Sequence, residues 1–160
     1  MINPRSRWTQ GLVVWYGLFQ AVHLIFNGIY LVRPGTPPFP PPPGGWSAQL
    51  VSFLNGMAAA DFVNAALALC FVYGYFRRTR WWFWLGTLTL TISVYAAVVF
   101  TIGTVAIGAW SNHLLQYVVL LYVPFLPVVV LFALLPFWTR STSGNDVQSL
   151  VIEKEHETLS

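Results

Sequence analysis

The chain has 160 residues, of which 56% are hydrophobic and only 8% charged, with a formal net charge of +3. Almost everything outside its long apolar segments is a short connection, which leaves no room for a soluble module. The small basic excess reads as a topology signal and not as a nucleic-acid surface.

Four apolar segments, residues 11–32, 48–76, 81–105 and 112–138, each reach the roughly 20 residues needed to cross hydrocarbon. The expected fold is therefore all-α: a polytopic bundle of four transmembrane helices within residues 1–140, followed by a polar tail. The first segment follows basic residues, as a signal peptide does. It is too long for one, however, contains Gln20, His23 and Asn27, and lacks a small-residue cleavage site, so it reads as a retained span. Those three polar residues are three and then four positions apart, which puts them on one helix face directed into the bundle.

The run PGTPPFPPPPGG, residues 34–45, has too many prolines for a helix and reads as an extended strap, either a lid or a spacer. The second span contains Asp61, the only acid between Met1 and Arg140. A carboxyl group near a bilayer centre costs about 2.5–3.5 kcal/mol, so it calls for a partner or a ligand. Asn64 lies three residues on, near the same face, whereas Asn55 is roughly opposite Asn64. Cys70 is the sole cysteine and reads as a packed thiol.

Arg77, Arg78 and Arg80 mark the turn to the third span. Trp81, Trp82, Trp84 and, at the far end of the chain, Trp138 read as interface anchors. The third span carries many hydroxyls, among them Thr87, Thr91, Ser93, Thr101 and Thr104, expected to bond between helices. The fourth begins with His113, Gln116 and Tyr117, again at spacings of three and four, and contains Pro124 and Pro127, which predict a kink. Residues 141–160 hold four of the five acids and are expected to be a disordered polar tail.

Arg5 and Arg7, the Arg77–Arg80 turn, and Arg140 with Lys154 all fall on one side, and only Arg33 falls on the other. The positive-inside rule then puts both termini in the cytosol and the strap on the lumenal side. At that topology Gln20, His23, Asp61, Asn64 and Ser93 lie near the midplane. Asn27, Asn55, His113 and Gln116 lie in the lumenal half, which describes a polar pocket opening toward the strap. Asp61 with His23 is the minimum apparatus for general acid/base chemistry, with the acid donating a proton and a histidine across the pocket accepting one. Gln20, Asn27, Asn55, Asn64, His113, Gln116 and Tyr117 are the candidate substrate-binding residues. No metal and no cofactor are expected. His23, His113 and Asp61 come from three helices without short ligand spacing, and neither a Gly-rich phosphate loop nor a serine elbow is present.

A proline-containing loop ahead of Trp46, the Ser52-Phe53-Leu54 start of the second helix, the basic, Trp-rich turn, and Tyr122-x-Pro124-Phe125-x-Pro127 in the fourth resemble the EXPERA superfamily. That superfamily groups sterol isomerases of the emopamil-binding type with the sigma-2 receptor, and the likeness is to its four-helix branch over residues 8–138. The resemblance implies an aromatic cavity in which intramembrane carboxylates bind amines or protonate sterol-like substrates, with Asp61 near an acceptor position. Where sigma-2-like members carry an acid in the first helix, this chain has Asn27 and Gly28. A single acid beside His23 fits proton donation to a neutral substrate better than capture of a cationic amine.

The function expected is a small endoplasmic-reticulum membrane enzyme that opens, hydrolyses or cyclises an epoxide, or isomerises a double bond, in a lipophilic polyketide, terpenoid or sterol. The alternatives are a non-catalytic sterol or lipid receptor or trafficking factor, and a structural subunit of a membrane complex. The partners expected are the lipophilic substrate and the bilayer, with a homodimer allowed for and no nucleic acid.

Overall fold

The computed structural model describes residues 6–33, 37 and 39–138, and the 141–160 tail lies outside them. Four helices occupy the four apolar segments: α1 (Arg7–Val32), α2 (Ala48–Arg77), α3 (Trp82–Ala106) and α4 (Leu114–Trp138). All four are long and apolar enough to cross a membrane. No strand occurs among the described residues.

Local chemistry sets the boundaries. Ser6 caps α1 by accepting from the Thr9 amide at 3.2 Å, and Ser47 caps α2 by accepting from the Leu50 amide at 3.3 Å. At its far end α2 stops on Arg78, which is left-handed at φ 56°. The Thr79 amide then reaches back to the Gly74 carbonyl at 3.1 Å, so the chain reverses within four residues into α3. In α4, Val118–Tyr122 widens to a π-helical turn in which Val123 N–H donates to the Val118 carbonyl. Pro124, with no N–H to give, ends that register. The prolines were expected to kink α4; what the structure shows beside the first of them is this widened turn.

The helices run alternately up and down. α1 packs on α2 and α2 on α3. α4 closes the ring through Trp15 Nε1 donating to the Pro124 carbonyl at 2.9 Å on one flank, and on the other through Trp82 against Trp138, ring centroids 5.6 Å apart. The end holding the start of α1, the end of α4 and the α2–α3 turn is filled by Leu12, Val13, Tyr16, Phe71, Leu90, Leu131 and Trp138. There Gly86 admits the Phe71 ring so closely that a β-carbon would sit 2.6 Å from it. Trp138 is fully buried and Trp82 partly so, which corrects their reading as interface anchors; Trp81 and Trp84 are exposed. The reason is steric, since two helix ends meeting around Phe71 need large flat groups to fill the gap.

The exterior is apolar: Ile25, Ile102, Leu120 and Leu126 are each more than 60% exposed, whereas Gln20, Asn64, Thr89 and Ser93 are buried. That inversion of the usual pattern suits a multi-pass membrane protein. Of the α3 threonines, Thr101 bonds across to Tyr122 of α4 as expected, but Thr87 and Thr91 do not bond between helices. Thr87 and Thr91 donate to carbonyls four residues back in their own helix, which satisfies them without a neighbour. Ser93 is the α3 hydroxyl that ties several helices together.

Candidate functional site

The opposite end of the bundle is hollow. A cavity of about 570 Å³ runs between the second half of α1, the first half of α2, the second half of α3 and the Leu120–Phe125 stretch of α4. Small side chains create it: Ala58 on α2 and Ala96 and Ala97 on α3 face positions that bulky residues hold at the other end. α4 contributes by standing off, for no Cα of Leu114–Tyr122 comes within 8 Å of α1, α2 or α3.

Pro37 and Phe39 of the strap roof the cavity. Phe39 rests against Phe100 at 5.0 Å between centroids, and Tyr117 Oη donates to the Pro40 carbonyl at 2.8 Å. The pocket was expected to open toward the strap, with the strap as either lid or spacer; two of its described residues, Pro37 and Phe39, line the cavity at that end. Prolines make this inexpensive, because a chain already restricted in φ loses little entropy on being pinned.

The floor is a knot of polar groups around Ser93. Gln20 Nε2, Asn64 Nδ2 and Tyr16 Oη all lie 3.0 Å from Ser93 Oγ. A hydroxyl accepts two bonds and donates one, so the two amides donate to Ser93 and Ser93 donates to Tyr16. α1, α2 and α3 are thereby joined at one atom, and the hollow end is separated from the packed one.

On the wall between floor and roof, His23 Nδ1 stands 3.0 Å from Asp61 Oδ2, and Asn27 Nδ2 donates to the same oxygen at 3.3 Å. The His23 ring also packs on Phe19, with centroids 4.3 Å apart. The helix spacing explains the assembly. Gln20, His23 and Asn27 form one stripe on α1, and the antiparallel course of α2 brings Asp61 level with its centre. Acid and histidine are direct partners on one wall; they do not face each other across the space. Among the described residues, His23 Nε2 and Asp61 Oδ1 make no hydrogen bond within the protein.

Gln20, His23, Asn27 and Asp61 line the cavity; Asn55, Asn64, His113, Gln116 and Tyr117 do not. Asn64, about a sixth of a turn out of phase with Asp61, is taken up by Ser93 beneath the floor. Asn55 is on a different face of α2, as its spacing implied. His113 precedes α4 as its cap residue, Gln116 is exposed, and Tyr117 is committed to the strap. No group of three His, Cys, Asp or Glu residues comes together among the described residues.

Among the cavity residues that escaped the sequence reading of the site are Thr101 and Tyr122, whose hydroxyls are hydrogen-bonded to each other across α3 and α4. Spacing could not have flagged Tyr122, which is the lone polar group in an apolar run. Comparison with protein-family models, characterised proteins and solved structures finds no match to this chain.

Proposed function

We propose that the chain is a membrane enzyme in which His23 and Asp61, acting as one unit, move a proton to or from a lipophilic substrate held in the cavity. The observation that carries this is the 3.0 Å contact between His23 Nδ1 and Asp61 Oδ2 in the wall of a mostly apolar hollow. A titratable pair at that depth is a costly way to hold helices together, and Ser93 already does that with neutral groups.

A unit on one wall favours chemistry in which proton delivery and removal occur on the same face of the substrate. Double-bond isomerisation fits: a proton adds to one alkene carbon, another leaves the neighbouring position, and the pair ends with the proton count it began with. Cyclisation of an epoxide uses the same pair: a proton goes to the epoxide oxygen as its C–O bond breaks, a hydroxyl of the same molecule forms the new C–O bond, and that hydroxyl's proton returns to the pair. Hydrolysis needs in addition a water activated on the opposite face, and among the described residues no second carboxylate or histidine lines the cavity to do so. Asn27 holds the carboxylate for this task, and Phe19 orients the imidazole. The reaction calls for no cofactor.

The resemblance to the EXPERA superfamily supports the same use of an intramembrane acid, and the arginine distribution supports cytosolic termini; the membrane proposed is that of the endoplasmic reticulum. A non-catalytic lipid receptor is the second reading. What favours it is that Asp61 Oδ2 is already held by two protein donors, as in a preformed anchor.

The test is expression of the wild type and Asp61→Asn in a host fed alkene and epoxide candidates, with the lipophilic extract analysed by mass spectrometry. A new isomer or cyclised product with the wild type, reduced about 10²–10⁴-fold in the variant, is expected. Compounds that co-purify unchanged with the wild type would leave the receptor reading in its place.

A further inference from the structure

The hydroxyl pair between α3 and α4 has a fixed direction. Thr101 Oγ1 lies 2.6 Å from the Ala97 carbonyl oxygen, which can only accept, so the Thr101 proton is spent there. The bond between Thr101 and Tyr122 must therefore use the phenol proton, with Tyr122 donating and Thr101 accepting. Tyr122 Oη has then no proton left and offers only lone pairs. Its ring is steadied edge-on by Trp110, with centroids 5.6 Å apart. Trp110 is itself tied to α3 by donating from Nε1 to Thr104 Oγ1 at 2.9 Å. A phenol held this way, in the wall of a cavity it lines, is a selective hydrogen-bond acceptor.

We infer that Tyr122 is a specificity-determining residue that accepts a hydrogen bond from a hydroxyl on the lipophilic ligand and discriminates against ketones and ethers at that position. This rests on the use of the cavity proposed above and adds the ligand's chemistry. The geometry also sets a spacing. The Asn64–Ser93 bond registers α2 against α3, and in antiparallel helices it brings Asp61 level with Ala96. Thr101 is five residues farther toward the strap, so the acceptor is displaced about 7.5 Å along the bundle axis from the His23–Asp61 pair. The ligand is accordingly an elongated apolar alcohol whose hydroxyl points toward the strap while its reacting centre lies deeper. Tyr122 does not touch the reacting atoms; it sets the ligand's direction and depth.

The experiment is equilibrium binding to the purified full chain in detergent micelles. The panel comprises linear and polycyclic lipophilic alcohols, each with its matched ketone and methyl ether. Wild type is expected to hold an alcohol about three- to tenfold more tightly than its ketone or ether, the equivalent of one hydrogen bond. Tyr122→Phe should erase that preference by weakening the alcohol alone. Thr101→Val supplies the independent check, because it frees the phenol proton to donate. Ketone affinity should then rise about three- to tenfold toward that of the alcohol. Wild-type binding of all three classes alike, an alcohol preference surviving in Tyr122→Phe, no gain for ketones in Thr101→Val, or no binding of any alcohol above the micelle background would each overturn the inference. Because the readout is affinity, an intact alcohol preference without turnover would sink the proton-transfer reading alone, and turnover without the preference would sink only this one.

Discussion

The same four helices make a solid at one end of the bundle and a container at the other. At the solid end α2 and α3 turn Phe71, Tyr75 and Trp82 toward α1 and α4, where Tyr16, Leu131 and Trp138 complete the filling. Near the strap the corresponding faces carry Leu54, Ala58, Ala96 and Ala97, and α4 stands away from its neighbours over its first two turns. Side-chain volume and helix separation thus change together, and neither alone would leave about 570 Å³ open. The division of labour follows: one end holds the fold while the other is left free to hold something else. The Ser93 knot lies at the border and belongs to the structural half by its connections.

If that division is right, truncation should hurt very unequally along the bundle. Trp138→Ala removes a fully buried ring from the solid end and should lower stability by about 3–5 kcal/mol. Phe26→Ala, which shortens a cavity-lining side chain that is already 58% exposed, should cost under about 1 kcal/mol. Thermal unfolding of both in the same detergent checks the contrast, and equal losses would mean that the hollow end carries as much of the fold as the solid one. Gly86→Ala comes next. Its β-carbon would meet the Phe71 ring at 2.6 Å, and Phe71 is fully buried with Tyr16, Tyr75 and Trp82 around it, so α2 and α3 must part by a few tenths of an ångström. A cost of about 1–3 kcal/mol is expected, again read as a lowered unfolding temperature.

At the border, Ser93→Ala deletes the acceptor shared by Gln20 and Asn64 and the donor to Tyr16. The amides are buried, and the loss should be about 1–3 kcal/mol. Because the knot floors the cavity, the variant should also admit ligand less selectively, visible as weaker saturable binding at matched folded fraction. A stable Ser93→Ala with unchanged binding would show that the two ends are separated by packing alone.

The four helices were legible because apolar length is a property of the chain itself and needs no neighbours to read. So was the stripe Gln20, His23 and Asn27, since helical spacing fixes which residues share a face. What spacing cannot reveal is rotation about the bundle axis. Asp61 and Asn64 are close on one face, yet a small turn sends the first into the cavity and the second to Ser93. His113, Gln116 and Tyr117 had the same spacing as the α1 stripe, but α4 begins only at Leu114 and stands off there, so they stay at the rim. Trp138 misled for a related reason, because a tryptophan at a helix end looks alike whether it meets lipid or another helix. Volume was the least legible property of all: the hollow exists where alanines from two helices coincide in space, and their separation along the chain conceals it.

The smallest expected effect is the one that most sharply separates the two ends. Asp61→Asn changes charge but hardly any volume, in a side chain 25% exposed beside a histidine 32% exposed. The pair is partly open to the cavity, so its Coulombic worth must be discounted as for an accessible ion pair, to about 0–1 kcal/mol. The asparagine can still meet His23 and Asn27 with one oxygen, keeping the wall's shape. The unfolding temperature should therefore move by no more than about 2–4 °C for a chain of this size, less than for Ser93→Ala one turn away. A fall as large as that of Gly86→Ala would mean that the His23–Asp61 pair holds the helices together. The case for reserving the hollow end for chemistry would then fail at its centre.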